Sequence, residues 1–316
     1  MELDGLSYLR SLQHRIPHPG KIPVIPDIEM YGGCLPKVGE GNDWMTMQLG
    51  NEPAEKIHIY GGDHITWIDF EDRFGITKGK YVGRGAFLIT DVSGHGKYEP
   101  ILTASAHHAA LVGVKLALRY NGDVTPELFT ILNDRFYATR INSGRPEEDT
   151  IAALYAEIWS EPRENDTRKT TIKFISAGNP TPLVFSTEDN KIREVEKKRK
   201  QTTLALGYAP SKGYHLGEGE EKPLIIMPDF KVNEMEFLGP DIFIFGTDGF
   251  FDHSRENSRG GERETYVEGK LEKKLKELKR LSAKEIWEEV KTDILSFASL
   301  KDEQNDDITY IIVKRA

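Results

Sequence analysis

Short runs of apolar and β-branched residues, each bounded by Gly, Pro, Asn or Asp, recur along most of the chain after residue 23. Runs of four to eight such residues between turn-forming residues are typical of β-strands. Several runs alternate, as a strand with one buried face does, whereas 242–245 reads Ile-Phe-Ile-Phe and indicates a strand buried on both faces. The pattern predicts strands at 57–60, 64–70, 85–90, 150–159, 171–176, 183–186, 224–227, 241–245 and 308–313.

Four segments between these strands carry helix signals. Pro100 stands where a first helical residue is expected, and Ser282 and Glu285 have the spacing of a capping box. The pattern predicts helices at 100–120, 125–140, 266–280 and from 282 to about 300. Because strands and helices in this order do not form regular βαβ units, we expect an α+β fold of mainly antiparallel sheets with helices packed outside them.

A further amphipathic helix is predicted at 5–16, where apolar residues recur at spacings of three and four before two prolines. The apolar positions are Leu6, Leu9, Leu12 and Ile16. This helix either docks on its own domain or joins two copies of the chain as a homodimer. We therefore divide the chain into an N-terminal helix and linker over 1–23 and one large domain over 24–316.

Composition narrows the class of protein. The 316 residues are 38% hydrophobic, enough for a sizeable core, and their net charge of −9 argues against a nucleic-acid binder. Cys34 is the single cysteine and predicts neither an internal disulfide nor a thiolate zinc site. We find neither a membrane-spanning run nor a signal peptide, so we expect a cytoplasmic location without membrane contact.

Aspartates stand at the ends of the most apolar predicted strands. Asp91 and Asp248 each directly follow such a strand, and Asp306 and Asp307 directly precede another. Asp63 lies at the junction of two strands. Gathered carboxylates repel one another unless cations compensate, and oxygen ligands select Mg²⁺ or Mn²⁺. Four carboxylates roughly balance two such ions, which can clamp a phosphate and activate water.

The alternative for each of these aspartates is ordinary turn chemistry, since Asp-Gly is also a strong hairpin signal. Taken singly, each site fits that alternative. Four acidic sites that all adjoin strongly apolar strands favour the metal hypothesis instead.

Five motifs occur in the order found in metal-dependent protein serine/threonine phosphatases, the protein phosphatase 2C-like family. They are Gly61-Gly-Asp63, Asp91-Val-Ser-Gly-His-Gly96, Ala177-Gly-Asn-Pro180, Thr247-Asp-Gly249 and Asn305-Asp-Asp-Ile-Thr309. Over roughly 24–314 the chain resembles the bacterial branch of stage II sporulation protein E and the sigma-factor-regulating phosphatases. The resemblance implies that 24–316 is a metal-dependent phosphatase domain, an αββα sandwich with two Mn²⁺ or Mg²⁺ ions between its sheets.

The resemblance also assigns a metal site to particular residues. They are Asp63, Asp91, Val92, Asp248, Asp306 and Asp307. By this likeness Asp91 bridges both ions, and Val92 offers its backbone carbonyl. Asp63 holds an ion or its water, and Asp307 either neighbours the ligands or replaces Asp306 as one.

Further polar residues lie close to these motifs, and most have two interpretations. His95 either donates a proton to the leaving serine oxygen or is a structural loop histidine. His64 either neighbours the ligands or is an ordinary sheet residue, and Asn179 either lines the pocket or makes a turn. Because His107 and His108 are adjacent on a predicted helix, they point in different directions and neither is expected to be a ligand.

The function that the resemblance implies is hydrolysis of phosphoserine or phosphothreonine by a water that two metal ions activate. Asp91, Asp248 and Asp306 would act through those ions. The implied substrate is a regulatory protein, an anti-sigma-factor antagonist. A catalytically silent binding module of the partner-switching pathway and a two-metal hydrolase of small phosphoesters are the alternatives. A P-loop is excluded, because no Gly-Lys pair is followed by Ser or Thr.

Overall fold

The computed structural model describes residues 20–35, 44–47, 55–58, 62–70, 83–92, 99–143, 150–162, 168–194, 204–214, 225–237, 239–256, 263–297 and 306–316. Within these ranges the strands are β1 (Ile28–Leu35), β2 (Trp44–Met47), β3 (Glu55–His58), β4 (Asp63–Asp69), β5 (Arg84–Val92), β6 (Ile151–Pro162), β7 (Arg168–Ala177), β8 (Leu183–Ser186), β9 (Lys191–Glu194), β10 (Asn233–Phe237), β11 (Ile242–Gly246), β12 (Ser254–Glu256), β13 (Arg263–Thr265) and β14 (Ile308–Arg315). The helices are α1 (Glu99–Asn121), α2 (Pro126–Ser143), α3 (Asp248–Phe251), α4 (Glu272–Leu278) and α5 (Ala283–Phe297). A π-helical turn over Val267–Leu271 precedes α4.

Two five-stranded sheets form the centre of the fold. Sheet 1 has the strand order β1-β14-β11-β8-β9, and sheet 2 has the order β10-β7-β6-β5-β4. Neighbouring strands in both sheets are antiparallel. The pairs β2–β3 and β12–β13 form separate two-stranded sheets.

The apolar residues divide into three layers. One layer lies between the sheets, where the rings of Phe87 in sheet 2 and Phe245 in sheet 1 meet with centroids 5.1 Å apart. A second layer joins α1 and α2 to the outer face of sheet 2, and a third joins α4 and α5 to the outer face of sheet 1. This arrangement confirms the α+β sandwich with helices on both outer faces.

The predicted helices are present where the structure describes them. The Ser282 hydroxyl accepts a hydrogen bond from the Glu285 backbone N–H at 3.3 Å, and the Glu285 carboxylate accepts one from the Ser282 N–H at 2.9 Å. This is the predicted capping box, and α5 begins directly after Ser282. Within the described residues, no helix combines the length and the apolar character that crossing a membrane requires. The predicted helix at 5–16 lies outside the described residues.

One predicted strand is wrong. In the described part of 224–227, Ile225 and Ile226 are exposed, and Met227 forms a single bridge to Ser211. Prolines at 223 and 228 flank this apolar segment, and a proline cannot donate a backbone hydrogen bond to a sheet. The segment is apolar enough for a strand but is not hydrogen-bonded as one.

Strand β1 was missed by the sequence pattern, because two adjacent glycines interrupt it. A Cβ atom at Gly32 would lie 2.6 Å from Ile311 Cγ1, and one at Gly33 would lie 3.0 Å from the Trp287 ring. The glycines therefore let β1 pass close to β14 and α5, and β1 completes the edge of sheet 1.

The outer face of sheet 2 contains a buried ion pair. The side chain of Glu157 is fully buried and pairs with the Arg84 guanidinium on the neighbouring strand. The Tyr155 hydroxyl donates a further hydrogen bond to Glu157 Oε2 at 3.1 Å. The guanidinium carbon also lies 5.5 Å from the ring centroid of Phe70 and 5.4 Å from that of Trp159.

We expect Arg84→Ala to lower the free energy of unfolding by roughly 3–5 kcal/mol, because it leaves a buried carboxylate without its cation. Lys274→Ala is the control, since it removes the partner of Glu289 in a pair at 3.0 Å whose carboxylate is half exposed. That loss should be about 1 kcal/mol or less. Urea denaturation at pH 7 measures both, and equal small losses would contradict the buried-pair interpretation.

Candidate metal centre

In sheet 2 the strands change from apolar to acidic residues at one end of the layer between the sheets. Phe87 and Ile89 of β5 point into that layer. Because side chains alternate along a strand, Asp91 continues the same face. On the neighbouring strand Asp63 is paired directly with Asp91. The two carboxylates therefore stand side by side on the inner face of sheet 2.

Sheet 1 shows the same change at the same end. Phe243 and Phe245 of β11 point inward, and Thr247 follows at the next inward position, just before Asp248 begins α3. On β14 the inward positions run from Ile311 through Thr309 to Asp307. The two sheets thus bring their acids to one end of the apolar layer.

Hydrogen bonds between the sheets link these residues. The Thr247 hydroxyl donates to Asp63 Oδ2 at 2.8 Å. The Asp63 backbone N–H lies 3.3 Å from Asp307 Oδ2 and donates to it. Asp63 and Asp307 are each only 5% exposed, so both contacts lie inside the protein.

Asp248 and Asp306 lie at the mouth of this cluster and are exposed. Asp248 Oδ1 accepts a hydrogen bond from the Gly249 N–H at 2.8 Å, and Asp306 Oδ1 accepts one from the Asp307 N–H at 2.8 Å. The side chains of Asp91 and Asp248 are also hydrogen-bonded to each other. Each of the two exposed carboxylates is therefore oriented by a hydrogen bond from the backbone N–H of the next residue.

The pKa values show that the acids crowd one another. Burial, followed by the charges of Asp248 and Asp306, raises the pKa of Asp91 to about 8. Burial and the charge of Asp91 raise the pKa of Asp63 well above its ordinary value. Burial, with the charge of Asp63, likewise raises the pKa of the Cys34 thiol. The metal-free cluster therefore holds protons that isolated carboxyl groups would release at neutral pH.

This donor set fits hard divalent cations. Every acid in it offers only oxygen, and the mutual repulsion of the acids is what a bound cation would relieve. Among the described residues, no group of three or more His, Cys, Asp or Glu side chains is already arranged as a metal site. The chemistry and position of the aspartates fit metal ions, while their side chains are not yet in ligand geometry.

The structure brings together all five predicted aspartates: Asp63, Asp91, Asp248, Asp306 and Asp307. The side chain of Val92 points to the opposite face, into the core beneath α1, so only its backbone is available to the site. The Val92 N–H donates to the Gly62 carbonyl at 3.3 Å. His95 lies outside the described residues, and its role stays a prediction.

The histidines of β4 and α1 are on the far side of sheet 2 from the acids. The His107 ring bonds Thr66 Oγ1 at 2.7 Å and Thr90 Oγ1 at 2.5 Å and so ties α1 to the sheet. The His64 ring lies 5.4 Å from that of His107. Burial lowers the pKa of His64 to about 4 and that of His107 to about 3, so both are neutral at pH 7. Both rings therefore pack against the outer face of sheet 2.

Asn179 has a structural role in the described residues. In the orientation of the side-chain amide that satisfies its hydrogen bonds, the amide oxygen of Asn179 accepts from the N–H groups of Ala153 and Leu154 at 2.9 and 3.2 Å. Its own backbone carbonyl accepts from the Ser176 hydroxyl at 3.2 Å. These contacts support the turn interpretation and fix the end of β7 against β6.

Sequence reasoning missed two threonines that face the cluster, Thr247 and Thr309. Both are fully buried, and their hydroxyls act to lower the pKa of Asp63. The alternation of side chains along a strand could have identified both. Thr247 lies two residues after Phe245 and Thr309 two residues before Ile311, and both of these apolar residues point inward.

Comparisons with known proteins agree with this architecture. The family model for stage II sporulation protein E (SpoIIE) matches residues 82–316. No curated protein matches the chain by sequence.

Solved structures share the fold at low sequence identity. The SiaA-PP2C domain of Pseudomonas aeruginosa has a TM-score of 0.53 and 16% identity, with 81% of each chain covered. RsbX in complex with magnesium has a TM-score of 0.50 and 14% identity over 94% of this chain and 99% of that chain. The RsbU and RsbW domains of a Mycobacterium tuberculosis protein have a TM-score of 0.51 and 16% identity over 93% of this chain and 61% of that one.

The raised pKa of Asp91 predicts a pH-dependent stability of the metal-free protein. Between about pH 4 and pH 8 the folded state keeps a proton that the unfolded state has lost, so the contribution of this group to stability falls as pH rises. Asp91→Asn removes the group. The stability of the variant relative to the unsubstituted protein should therefore rise by at least about 1 kcal/mol from pH 5 to pH 8.

Urea denaturation of both proteins in EDTA across this range measures the difference. A difference that stays constant with pH would contradict the assignment of the raised pKa to Asp91.

The start of α3 predicts a second effect on stability. A Cβ atom at Gly249 would lie 1.9 Å from the Asp307 carbonyl oxygen, so Gly249→Ala must push α3 away from the segment that carries Asp306. We expect it to lower the free energy of unfolding by about 2 kcal/mol or more. Gly239→Ala is the matched control, because a Cβ there meets no atom within 4 Å, and it should change stability by no more than ~0.5 kcal/mol. Equal effects of the two substitutions in urea denaturation would contradict the close packing.

Proposed function

Because the chain belongs to the stage II sporulation protein E family, we propose that it hydrolyses phosphoserine or phosphothreonine on a regulatory protein at its cluster of aspartates. The family and the sandwich fold make the chain a protein phosphatase. The proposal concerns the substrate, the metal ions and the residues that bind them.

The observation that carries the proposal is the convergence of the acids. Asp91 from sheet 2 is close enough to Asp248 and Asp306 of the opposite side for their charges to raise its pKa. A gap bounded by carboxylates on both sides suits cations that in turn attract a phosphate dianion. Without cations the same gap would repel a phosphate group.

We assign the metal ligands accordingly. Asp91, Asp248 and Asp306 would hold two Mn²⁺ or Mg²⁺ ions, with the Val92 backbone beside them. When bound, such ions would activate a water for attack on phosphorus and neutralise the charge that develops on the phosphate oxygens. The buried Asp63 and Asp307 would orient the exposed acids, since both are already hydrogen-bonded across the gap.

The exposed mouth of the cluster suits a protein substrate. Asp248 and Asp306 are both exposed, so a phosphorylated side chain on a protein surface can reach them without entering a deep cavity. The solved structure that contains both RsbU and RsbW domains supports a substrate from a partner-switching system, namely an antagonist of an anti-sigma factor.

We also propose 24–316 as the phosphatase domain, with 1–23 as an N-terminal helix and linker. Residues before the family match at 82 belong to the same fold, because β1 pairs with β14 along its whole length and β4 pairs with β5. Chain before the family match also packs on β5, since Pro23 and Ile25 lie against Gly85.

Hydrolysis of p-nitrophenyl phosphate and of a phosphoserine protein, titrated with Mn²⁺ and Mg²⁺, tests the proposal. Asp91→Ala and Asp248→Asn should each lower metal-dependent turnover by about 100-fold or more, because each removes a carboxylate from the gap. Asp241→Asn is the control, because Asp241 lies just before β11, at the end of that strand away from Asp248. Its carboxylate accepts a hydrogen bond from the Thr187 N–H at 3.0 Å. Full metal-dependent turnover in Asp91→Ala would overturn the proposal.

The same assay separates the alternatives. Turnover of small phosphoesters with no phosphoprotein accepted would indicate a hydrolase of small molecules. A folded protein without turnover in either metal that still binds the phosphorylated regulator would indicate a binding module.

A further inference from the structure

We propose that Thr247 is a positioning residue of the metal centre, whose hydroxyl holds the Asp63 carboxylate across the gap between the sheets. The inference rests on the proposed function, because it concerns the ions of that site. It assigns a role to the residue that precedes Asp248, which the sequence motif alone leaves without one.

Thr247 occupies the position of a helix cap but does not act as one. It is the residue before α3, where a threonine hydroxyl ordinarily accepts a hydrogen bond from an N–H of the first helical turn. Here the side chain makes no such hydrogen bond. The hydroxyl instead donates to Asp63 Oδ2 at 2.8 Å, in the opposite sheet. The chain has exchanged a local helix contact for a contact between the sheets.

The backbone fixes the direction of this hydroxyl. The Thr247 N–H donates to the Thr309 carbonyl at 3.1 Å, and the Thr247 carbonyl accepts from the Phe250 N–H at 3.1 Å. The residue is fully buried, so its side chain has no water to turn toward. These two hydrogen bonds fix the backbone of Thr247 against β14 on one side and α3 on the other. The direction of its hydroxyl is therefore fixed as well.

Asp63 connects this contact to the other acids. It is the strand partner of Asp91, and its own N–H donates to Asp307 Oδ2. Through its side chain, its backbone N–H and its strand pairing, Asp63 therefore contacts the segments that carry Asp91, Asp248 and Asp306. Holding it in place sets the distance between the two sides of the gap.

The hydroxyl also fixes the orientation of the Asp63 carboxylate, because it donates to one of its two oxygens from the opposite sheet. A hydrogen bond to a metal-site carboxylate of this kind typically changes metal affinity 10–100-fold when it is removed.

The test compares Thr247→Val, which has nearly the same shape without the hydroxyl, with Thr247→Ser, which keeps the hydroxyl. Isothermal titration of the metal-stripped full chain with Mn²⁺ gives the Kd, and p-nitrophenyl phosphate turnover gives the Mn²⁺ concentration for half-activation. We expect Thr247→Val to raise both the Kd and the Mn²⁺ concentration for half-activation about tenfold or more. In Thr247→Ser both values should stay within about threefold of those of the unsubstituted protein.

Thr170→Val is the matched control. Thr170 is also a fully buried sheet threonine, and its hydroxyl has no hydrogen-bond partner among the described residues. It is paired with Ser160, at the end of sheet 2 away from the acids. Its substitution should leave the Mn²⁺ affinity unchanged, which separates loss of this particular hydrogen bond from loss of any buried hydroxyl.

A folded Thr247→Val protein with unchanged Mn²⁺ affinity would overturn the inference, and so would a Thr247→Ser protein as weak as Thr247→Val. If Thr247→Val does not fold, the comparison of Thr247→Ala with Thr247→Ser replaces it, with the same expected order of Mn²⁺ affinity. Metal-dependent turnover in the unsubstituted protein with no effect at Thr247 would remove this inference alone. An unsubstituted protein that neither binds Mn²⁺ nor hydrolyses phosphoester would remove both this inference and the proposed function.

Discussion

Repulsion between aspartates in a partly dehydrated gap is the constraint to which the rest of this molecule is fitted. Asp91 stands beside Asp63 on one sheet and faces Asp248 and Asp306 from the other side, and its pKa rises in response. A chain without further support would separate these groups to lower their electrostatic energy. The inter-sheet hydrogen bonds to and from Asp63 oppose that separation.

The apolar layer supplies the remaining resistance. Phe87 and Phe174 of sheet 2 both contact Phe245 of sheet 1, with ring centroids 5.1 and 6.1 Å apart. Phe87 and Phe245 lie on the strands that lead to Asp91 and Asp248. Large rings packed face to edge cannot slide past one another without opening voids. The packed apolar side chains therefore set the distance between the sheets, and this distance also fixes the width of the gap that holds the acids. The packing of the rings therefore fixes the strands that carry the acids, whatever the acids bind.

The sequence predicts those features of the fold and of the acid cluster that depend on residues close together in the chain. Aspartates that adjoin apolar strands are visible in the sequence, and the structure brings the five of them together. The Thr247 contact was not visible, because its partner lies 184 positions away on the other sheet. Strand β1 was hidden for the same reason, since its two glycines make sense only beside β14 and α5. The apolar segment 225–227 shows the converse, because hydrophobicity without backbone partners does not make a strand.

The place of β14 in sheet 1 has a consequence for the nascent chain. β14 lies between β1 and β11, although more than two hundred residues separate β1 from it. During synthesis β1 emerges early and has no strand to pair with, and the carbonyl that holds Thr247 is absent, until residues 308–315 have been made. Sheet 1 therefore closes only when its last strand inserts, and no shorter intermediate of translation can assemble the acids. The two sides of the acid cluster therefore come together in one late step, after synthesis has passed β14.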